Sequence, residues 1–289
     1  FCKPKFELEN KAKGYNNGMK NNSPWLQQLR KDREAAALNS DINTDIAIVG
    51  GGIAGISTAF FILKNTDKKV VLLEGNRIGH GATGHNAGQI TSYFERYFHE
   101  LVKEFGLKMA TEGQRSIELA WELFDQIYTE AGLNIPFSRF TGYAGFSSLE
   151  QIFDVLRNNV LRHEGGLKVN PLQIAESKVA RDAIPKEYES FYVFVPQEDI
   201  LQKLETKNQE FIALAESQKG VVNSALFTEE VALYLKNKYS DRFEIFENTM
   251  VPKVVLKEDY ALLDALHFVV SAKRVVLCTN GFDKIKIFD

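Results

Sequence analysis

The stretch Asp45 to Gln89, DIAIVGGGIAGISTAFFILKNTDKKVVLLEGNRIGHGATGHNAGQ, restricts the fold more than any other part of the chain. An apolar run, Ile46 to Val49, passes directly into Gly50, Gly52 and Gly55 in G-x-G-x-x-G spacing, then into an apolar segment of helical character reaching Leu63. A second apolar run, Val70 to Leu73, ends on Glu74, about 20 residues after the last glycine. Strand, glycine turn, helix, strand and acid together predict a βαβ unit that binds a dinucleotide.

Each residue of this unit has a task. Gly50 allows the tight turn out of the strand, Gly52 lets the backbone approach a pyrophosphate, and Gly55 lets the helix lie close on the sheet. Ile53 and Ala54 open the helix, whose unpaired N–H groups and positive dipole end face the phosphates. Glu74, followed by Gly75, accepts hydrogen bonds from the adenosine ribose, and its charge disfavours a 2′-phosphate. Ile46 to Leu63 is uncharged and long enough to raise the question of a membrane span. The consecutive glycines near its start and the strand after Lys64 favour a folded α/β unit, with no integral membrane segment.

The residues after Glu74 separate one dinucleotide from another. Arg77, Gly79, Gly81, Ala82, Thr83, Gly84, His85, Asn86, Ala87, Gly88 and Gln89 form a polar loop of small residues suited to wrapping a bulky cofactor. The text R-I-G-H-G-A-T-G-H-N-A-G-Q resembles that of the FAD-dependent D-amino-acid oxidase-like family, which includes glycine oxidase, sarcosine oxidase, dimethylglycine dehydrogenase and gamma-glutamylputrescine oxidase. The match is specific over residues 45 to 89 and looser elsewhere.

The resemblance implies FAD as cofactor and an α/β fold: a Rossmann-like FAD-binding domain, a parallel sheet with helices, interrupted by an α+β substrate cap. The implied organisation is an N-terminal arm over residues 1–40, a discontinuous FAD-binding domain over 41–134 and 220–289, and a cap portion over 135–219. It places the backbone of Val251 against the adenine. Arg274 to Phe282 looks like the family's later flavin-contacting strand, with Cys278, Thr279, Asn280 and Gly281 near the phosphate and ribitol.

The implied reaction is oxidation of the C–N bond of a small amine or amino acid by hydride transfer to flavin. Imine hydrolysis follows, then reoxidation of the flavin by oxygen or another acceptor. In the dimethylglycine dehydrogenase branch a histidine in the register of His85 carries the flavin covalently; Gly84 and Asn86 agree better with the putrescine-oxidase branch, which has arginine there. No catalytic residue can be named. An NAD-linked dehydrogenase and a non-catalytic flavin-binding protein or fragment remain as alternatives. Family members continue well beyond the equivalent of Asp289, so the expectation is a fragment, a shortened relative, or a remainder carried on another chain.

Composition bounds the rest. The chain has 289 residues, 44% hydrophobic, with a net charge of −3, which suits one or two globular domains and provides no basic field for nucleic acid. Cys2 and Cys278 are the only cysteines, at opposite ends, so a disulfide framework is not expected and a cytoplasmic setting is the default. The histidines lack metal-ligand spacing, so no metal is expected.

Further expectations concern single elements. Lys31 to Leu38 has helical character, and Pro24, Trp25 and Leu26 anchor the arm. Ser92 with Glu95, and Ser147 with Glu150, read as capping boxes. One helix is expected to carry Ile117, Trp121, Phe124, Tyr128 and Ala131. Residues 165–196 read as loop-rich, with Tyr143 and Phe146 as candidate pocket residues. Glu198 to Lys219 reads as an amphipathic helix and Ser224 to Lys238 as another. Strands are expected over Phe243 to Phe246, Thr249 to Leu256, His267 to Val270 and Val275 to Leu277.

Overall fold

In a computed structural model, which describes residues 23–282 and 285–289, the first apolar run forms β1 (Ile42–Val49), the helical segment α1 (Ile53–Asn65) and the second run β2 (Val70–Leu73). β1 and β2 pair in parallel with Val49 opposite Leu73, so both strands end flush at the glycine turn. β2 is buried along its whole length, as a strand inside a parallel sheet covered on both faces must be.

The chain then leaves this sheet. After the polar loop come β3 (Gln89–Ile90), α2 (Phe98–Phe105), α3 (Leu107–Glu118) and α4 (Ala120–Glu130). Next are β4 (Phe137–Phe146), α5 (Leu149–Glu164), β5 (Leu172–Ala175), α6 (Lys178–Ala183), β6 (Tyr192–Val195), α7 (Gln197–Lys203) and β7 (Ala213–Val222). β7 is the hub of a second sheet. It pairs with β4 from end to end, and with β5 and β3 at separate points, while β6 extends the sheet beyond β5.

The return runs through α8 (Ser224–Lys238) to β8 (Phe243–Phe246), which joins β2 in parallel. β9 (Lys253–Leu256), β10 (Ala261–Asp264), β11 (Val269–Leu277) and β12 (Lys286–Phe288) follow. The first sheet has the order β12-β9-β10-β11-β1-β2-β8. β1 therefore lies between β2, its immediate successor by way of α1, and β11, which arrives much later on its other flank and runs parallel to it. An α/β sheet opens a crevice for ligand at such a point, outside the carboxyl ends of the strands.

Packing fixes both faces of this sheet. On one, Phe60 and Leu63 of α1 and Phe227, Val231 and Leu235 of α8 are buried against Ile48, Val70, Leu72 and Phe243, with Phe124 and Ile127 of α4 beside them. Each such side chain contributes about 1.5–3 kcal/mol when fully buried. On the other face Ala47, Val49, Val71 and Leu73 meet Val254, Leu263 and Val270 of β9, β10 and β11, and Leu38 from the N-terminal segment.

Several local expectations fail, each where tertiary contacts outweigh local preference. Residues 31–38 are not helical: Leu38 N–H donates to Thr249 Oγ1 at 3.1 Å and Ala36 C=O accepts from Glu247 N–H at 2.8 Å, which hold the segment against its neighbour. Ser92 caps nothing, because α2 starts only at Phe98 and the Ser92 carbonyl instead accepts from Gln114. The helix expected through Ile117 and Trp121 is two helices meeting at Leu119. The second capping box exists one residue later: Ser148 Oγ accepts from Gln151 N–H while Gln151 Oε1 accepts from Ser147 N–H.

Larger corrections fall in the second sheet. Residues 165–196 hold β5 and β6 as well as loops. The helix expected over Glu198 to Lys219 stops at Lys203, because Ala213 to Val222 is the central strand β7, and pairing with three other strands overrides a helix-like spacing of apolar residues. In the first sheet, the strand expected from Thr249 begins at Lys253, β10 is an additional strand, and the two expected last strands are one continuous β11. The turns that Asn16, Asn17, Asn21 and Asn22 favour by their residue type lie outside the described residues.

Candidate cofactor site

The glycine turn is built from three different constraints. Gly50 has φ +110°, a conformation favouring glycine, and an added Cβ would lie 2.4 Å from Cys278 O. Its N–H donates to Leu73 O at 2.8 Å, and Cys278 N–H donates to Val49 O at 2.7 Å, so the turn is pinned to both neighbouring strands. At Gly55 an added Cβ would sit 1.9 Å from Gly50 O, so the first turn of α1 rests directly on the glycine turn. Gly52 differs: φ −78° and ψ −177° suit any residue, and the only close neighbour of an added Cβ is Thr83 Oγ1 at 3.0 Å. Space, not backbone strain, is what glycine provides there.

The start of α1 is capped from a distance. Gly52 offers no side chain, and Ile53 N–H donates to Thr83 Oγ1 at 3.0 Å. The first-turn N–H groups of Ala54 and Gly55 have no acceptor within the helix; Ala54 is exposed and Gly55 is buried. Glu74, half-buried, accepts from Gly51 N–H at 2.6 Å through Oε2 and from Asn76 N–H at 2.8 Å through Oε1. These two bonds fix the carboxylate and leave further lone pairs.

The remaining sequence candidates fall into three places. Cys278, Thr279, Asn280 and Gly281 follow β11 directly; Asn280 has φ +58°, Gly281 has no atom within 4 Å of an added Cβ, and both are exposed. Burial raises the pKa of the Cys278 thiol, outweighing a hydrogen bond with Thr58, so it stays protonated at neutral pH. Val251 is 2% exposed, with its side chain in the second core cluster, and is tied to Glu74 through Thr249 N–H, which donates to Glu74 O at 2.8 Å. Met250 lies over Gly75, where an added Cβ would meet its Cε at 2.9 Å.

The polar loop lies behind the turn. Gly79 N–H donates to Gly51 O at 3.0 Å, and Thr83 reaches Ile53. Gly81, Ala82, His85, Asn86, Ala87 and Gln89 are exposed, and Gly81 has open space around it. His85 Nδ1 lies 2.8 Å from Gly81 O. Asn86 serves the loop's own structure, donating to Thr83 O at 2.8 Å while its Oδ1 accepts from Gly88 N–H at 2.7 Å. Gly88 is buried with φ +69°, and the Trp25 ring lies against it. Arg77 turns toward the N-terminal segment: Nη2 donates to Arg33 O at 2.6 Å, and its buried Nε has no acceptor among the described residues.

Sequence reasoning does not reach the groups that brace this loop. Ser224 Oγ donates to Thr83 O at 2.6 Å, and Glu247 Oε1 accepts from Ile78 N–H at 2.7 Å. Arg33 forks onto both carboxylate oxygens of Glu247 and donates through Nε to Glu229 at 2.8 Å. Burial pushes the Glu247 carboxyl up, but the hydrogen bonds from Arg33 and Ile78 and the charges of Arg33 and Arg77 outweigh it and hold the group below the ordinary glutamate range.

That depressed pKa gives stability that is fully present above the unfolded value, near 4.5, and lost as pH falls through the folded one. Glu247→Gln is expected to cost about 3 kcal/mol at neutral pH. Thermal melts of both proteins should converge as the pH drops below about 4.5. A gap independent of pH would show that the carboxylate charge is not what stabilises.

The first-turn donors of α1 left without a helical acceptor, the space at Gly52 and the fixed Glu74 suit a dinucleotide's pyrophosphate and ribose. A cleft of about 740 Å³ lies elsewhere, lined by Asn43, Asp45, Lys68, Tyr260, Lys273 and Arg274 at the opposite end of β1. Along that strand it is about 20 Å from the glycine turn, and it has none of these features. Among the described residues no cluster of His, Cys, Asp or Glu has the arrangement of a metal site, and no helix is long and apolar enough to cross a membrane.

Fold and turn thus define a dinucleotide-binding α/β protein with a second, mixed α/β sheet. A family model described as FAD dependent oxidoreductase matches residues 45–287. The chain belongs to that family, and its cofactor is FAD. Gamma-glutamylputrescine oxidoreductase of Escherichia coli (strain K12) is 40% identical over 73 residues, covering 25% of this chain and 17% of that protein. Glycine oxidase from Geobacillus kaustophilus superposes with a TM-score of 0.56 at 18% identity, over 82% of this chain and 55% of the enzyme. L-alpha-glycerophosphate oxidase from Mycoplasma pneumoniae, solved with FAD bound, gives a TM-score of 0.54 at 19% identity, over 81% and 53%. The chain thus spans about half of these solved neighbours and a smaller share of the curated relative.

Proposed function

We propose that this chain is the cofactor-binding part of a flavin-dependent oxidoreductase that oxidises the C–N bond of a small amine or amino acid. The observation that carries the reading is the meeting of Gly50 with the Cys278 carbonyl at the point where β2 and β11 flank β1, with Glu74 at the adjoining strand end. The names of gamma-glutamylputrescine oxidoreductase and glycine oxidase support the substrate class.

When bound, FAD would supply the redox chemistry of the proposed oxidation, as acceptor of the hydride that leaves the substrate α-carbon, and would be reoxidised by oxygen or another acceptor. The chain's residues supply position and electrostatics. The first-turn donors of Ala54 and Gly55 and the α1 dipole would hold the pyrophosphate, with Ile53 N–H kept on Thr83 Oγ1. Glu74 would accept from the ribose hydroxyls, the Val251 backbone would face the adenine, and Cys278 to Gly281 would lie toward the phosphate and ribitol. Gly81 to Gln89 border the flavin side, and residues 135–219 form the substrate cap. Nothing in this assignment draws on nucleic acid.

The test is an absorbance spectrum of the purified protein with and without candidate amines. The expected result is a flavin spectrum bleached by one of them under anaerobic conditions, with a colourless pellet after acid precipitation. Flavin that no amine reduces would leave a binding protein. Colourless protein with nicotinamide-dependent turnover would replace the proposal altogether.

A further inference from the structure

We propose that residues 23–38 are a strap that sets the position of the cofactor loop 77–88 and thereby the affinity for FAD, with Trp25 and Arg33 as its positioning residues. This rests on the site assignment above.

The loop holds itself only in part, through Asn86, which bonds Thr83 O and Gly88 N–H. Gly79, Gly81, Gly84 and Gly88 give it little side chain with which to pack, and backbone freedom left in it is entropy that a ligand would have to remove. The strap supplies the missing contacts at both ends of the loop. At the far end Ser23 Oγ donates to Gly84 O, and Trp25 Nε1 donates to Asn86 O at 2.5 Å. An added Cβ at Gly84 would meet Leu26 at 2.5 Å and Gly79 O at 2.6 Å, and one at Gly88 would meet Val222 O at 2.6 Å and the Trp25 ring at 2.9 Å, so the strap is one of the two walls at each glycine.

At the near end the Arg33 carbonyl receives Arg77, and the Arg33 guanidinium grips Glu247, the residue that holds Ile78 N–H. Between these ends sits Thr83, whose hydroxyl caps the first N–H of α1. Movement of the strap is therefore passed through Gly84 and Asn86 to Thr83 and on to the turn that faces the pyrophosphate. The strap is itself seated on a separate element, because Asn223 Nδ2 donates to Trp25 O at 3.0 Å and Glu229 binds both Arg33 and the Arg30 N–H.

The test uses the full chain. Hydrogen exchange of the FAD-free protein reads the loop locally, flavin fluorescence titration reads FAD affinity, and thermal melting reads global stability. Arg33→Met is expected to speed exchange at residues 77–88 at least tenfold and to raise the Kd for FAD at least tenfold, with Arg33→Lys intermediate because an ammonium cannot fork. Trp25→Phe removes the Nε1–H bond to Asn86 O and the outer indole atoms that lie against Gly88, so it is expected to raise Kd three- to fivefold with little change in melting temperature. It decides the matter should Arg33→Met fail to fold.

Arg157→Ala, at a surface ion pair on α5, should leave loop exchange and Kd unchanged. Exchange that rises uniformly over the molecule, or a Kd unaffected by Trp25→Phe, would overturn the strap. A wild-type protein that binds no FAD would overturn the site assignment and, with it, the strap's role toward the cofactor; selective loosening of the loop would then still report the mechanical coupling.

Discussion

Replacing Gly55 by alanine is expected to lower the melting temperature by roughly 10 °C, corresponding to about 3 kcal/mol of overpacking. The added methyl group would lie 1.9 Å from the Gly50 carbonyl oxygen, a backbone atom with no freedom to move aside. Relief requires α1 to lift from the turn, which breaks its contact with the sheet through Phe60 and Leu63. The control is the same change at Gly113 inside α3, where the nearest atom to an added Cβ is the Phe94 ring at 3.5 Å. There alanine should stabilise by about 0.5–1 kcal/mol through helix propensity. Equal melting temperatures for the two variants would show that the close approach at Gly55 is not what fixes the helix.

Gly52→Asp is expected to leave the fold intact and abolish FAD binding. Its backbone angles suit any residue, and aspartate at a helix N-cap usually helps by accepting the orphan donors. Those donors are the ones assigned to the pyrophosphate, so the variant would satisfy the helix with its own carboxylate and place a negative charge where the diphosphate must lie. Two like charges about 4 Å apart near a protein surface repel by about 4 kcal/mol, which is more than a hundredfold in Kd. Thermal melting and flavin fluorescence titration separate the two effects. Retention of FAD within threefold of the wild-type affinity would remove the glycine turn as the binding site.

The parts of the molecule legible from sequence are those whose physics is local. Ile46 to Glu74 could be read because strand, turn, helix and acid each have a nearby cause: a continuous apolar run, glycines at fixed spacing, and a terminal carboxylate. α8 was legible for the same reason, since Asn223 caps it from the adjacent position and its side chain accepts from Leu226 N–H. β7 was not. Its apolar residues follow a spacing that a helix could also use, and what makes it a strand is its pairing with β4, β5 and β3. No window of sequence contains those partners.

The candidate site divides along the same line. Gly50, Gly52, Gly55 and Glu74 were readable as a motif, and the structure brings them together with Cys278. Trp25 was read only as an anchor of the arm, and Arg33 and Glu247 were not read as bracing the loop, because each acts across a long separation: Trp25 and Glu247 on backbone groups that leave no trace in the loop's sequence, Arg33 on the Glu247 carboxylate. The arm from which no chemistry could be inferred turns out to be bonded to the loop that carries the largest single group of cofactor candidates.

The seam between β1 and β11 has a bearing on how the protein comes into being. Asp45 and Lys273 clasp across it from positions 228 residues apart. At an elongation rate of about 5–20 residues per second, roughly 10–50 s pass on the ribosome between the two. Throughout that interval the nucleotide cradle has only one wall.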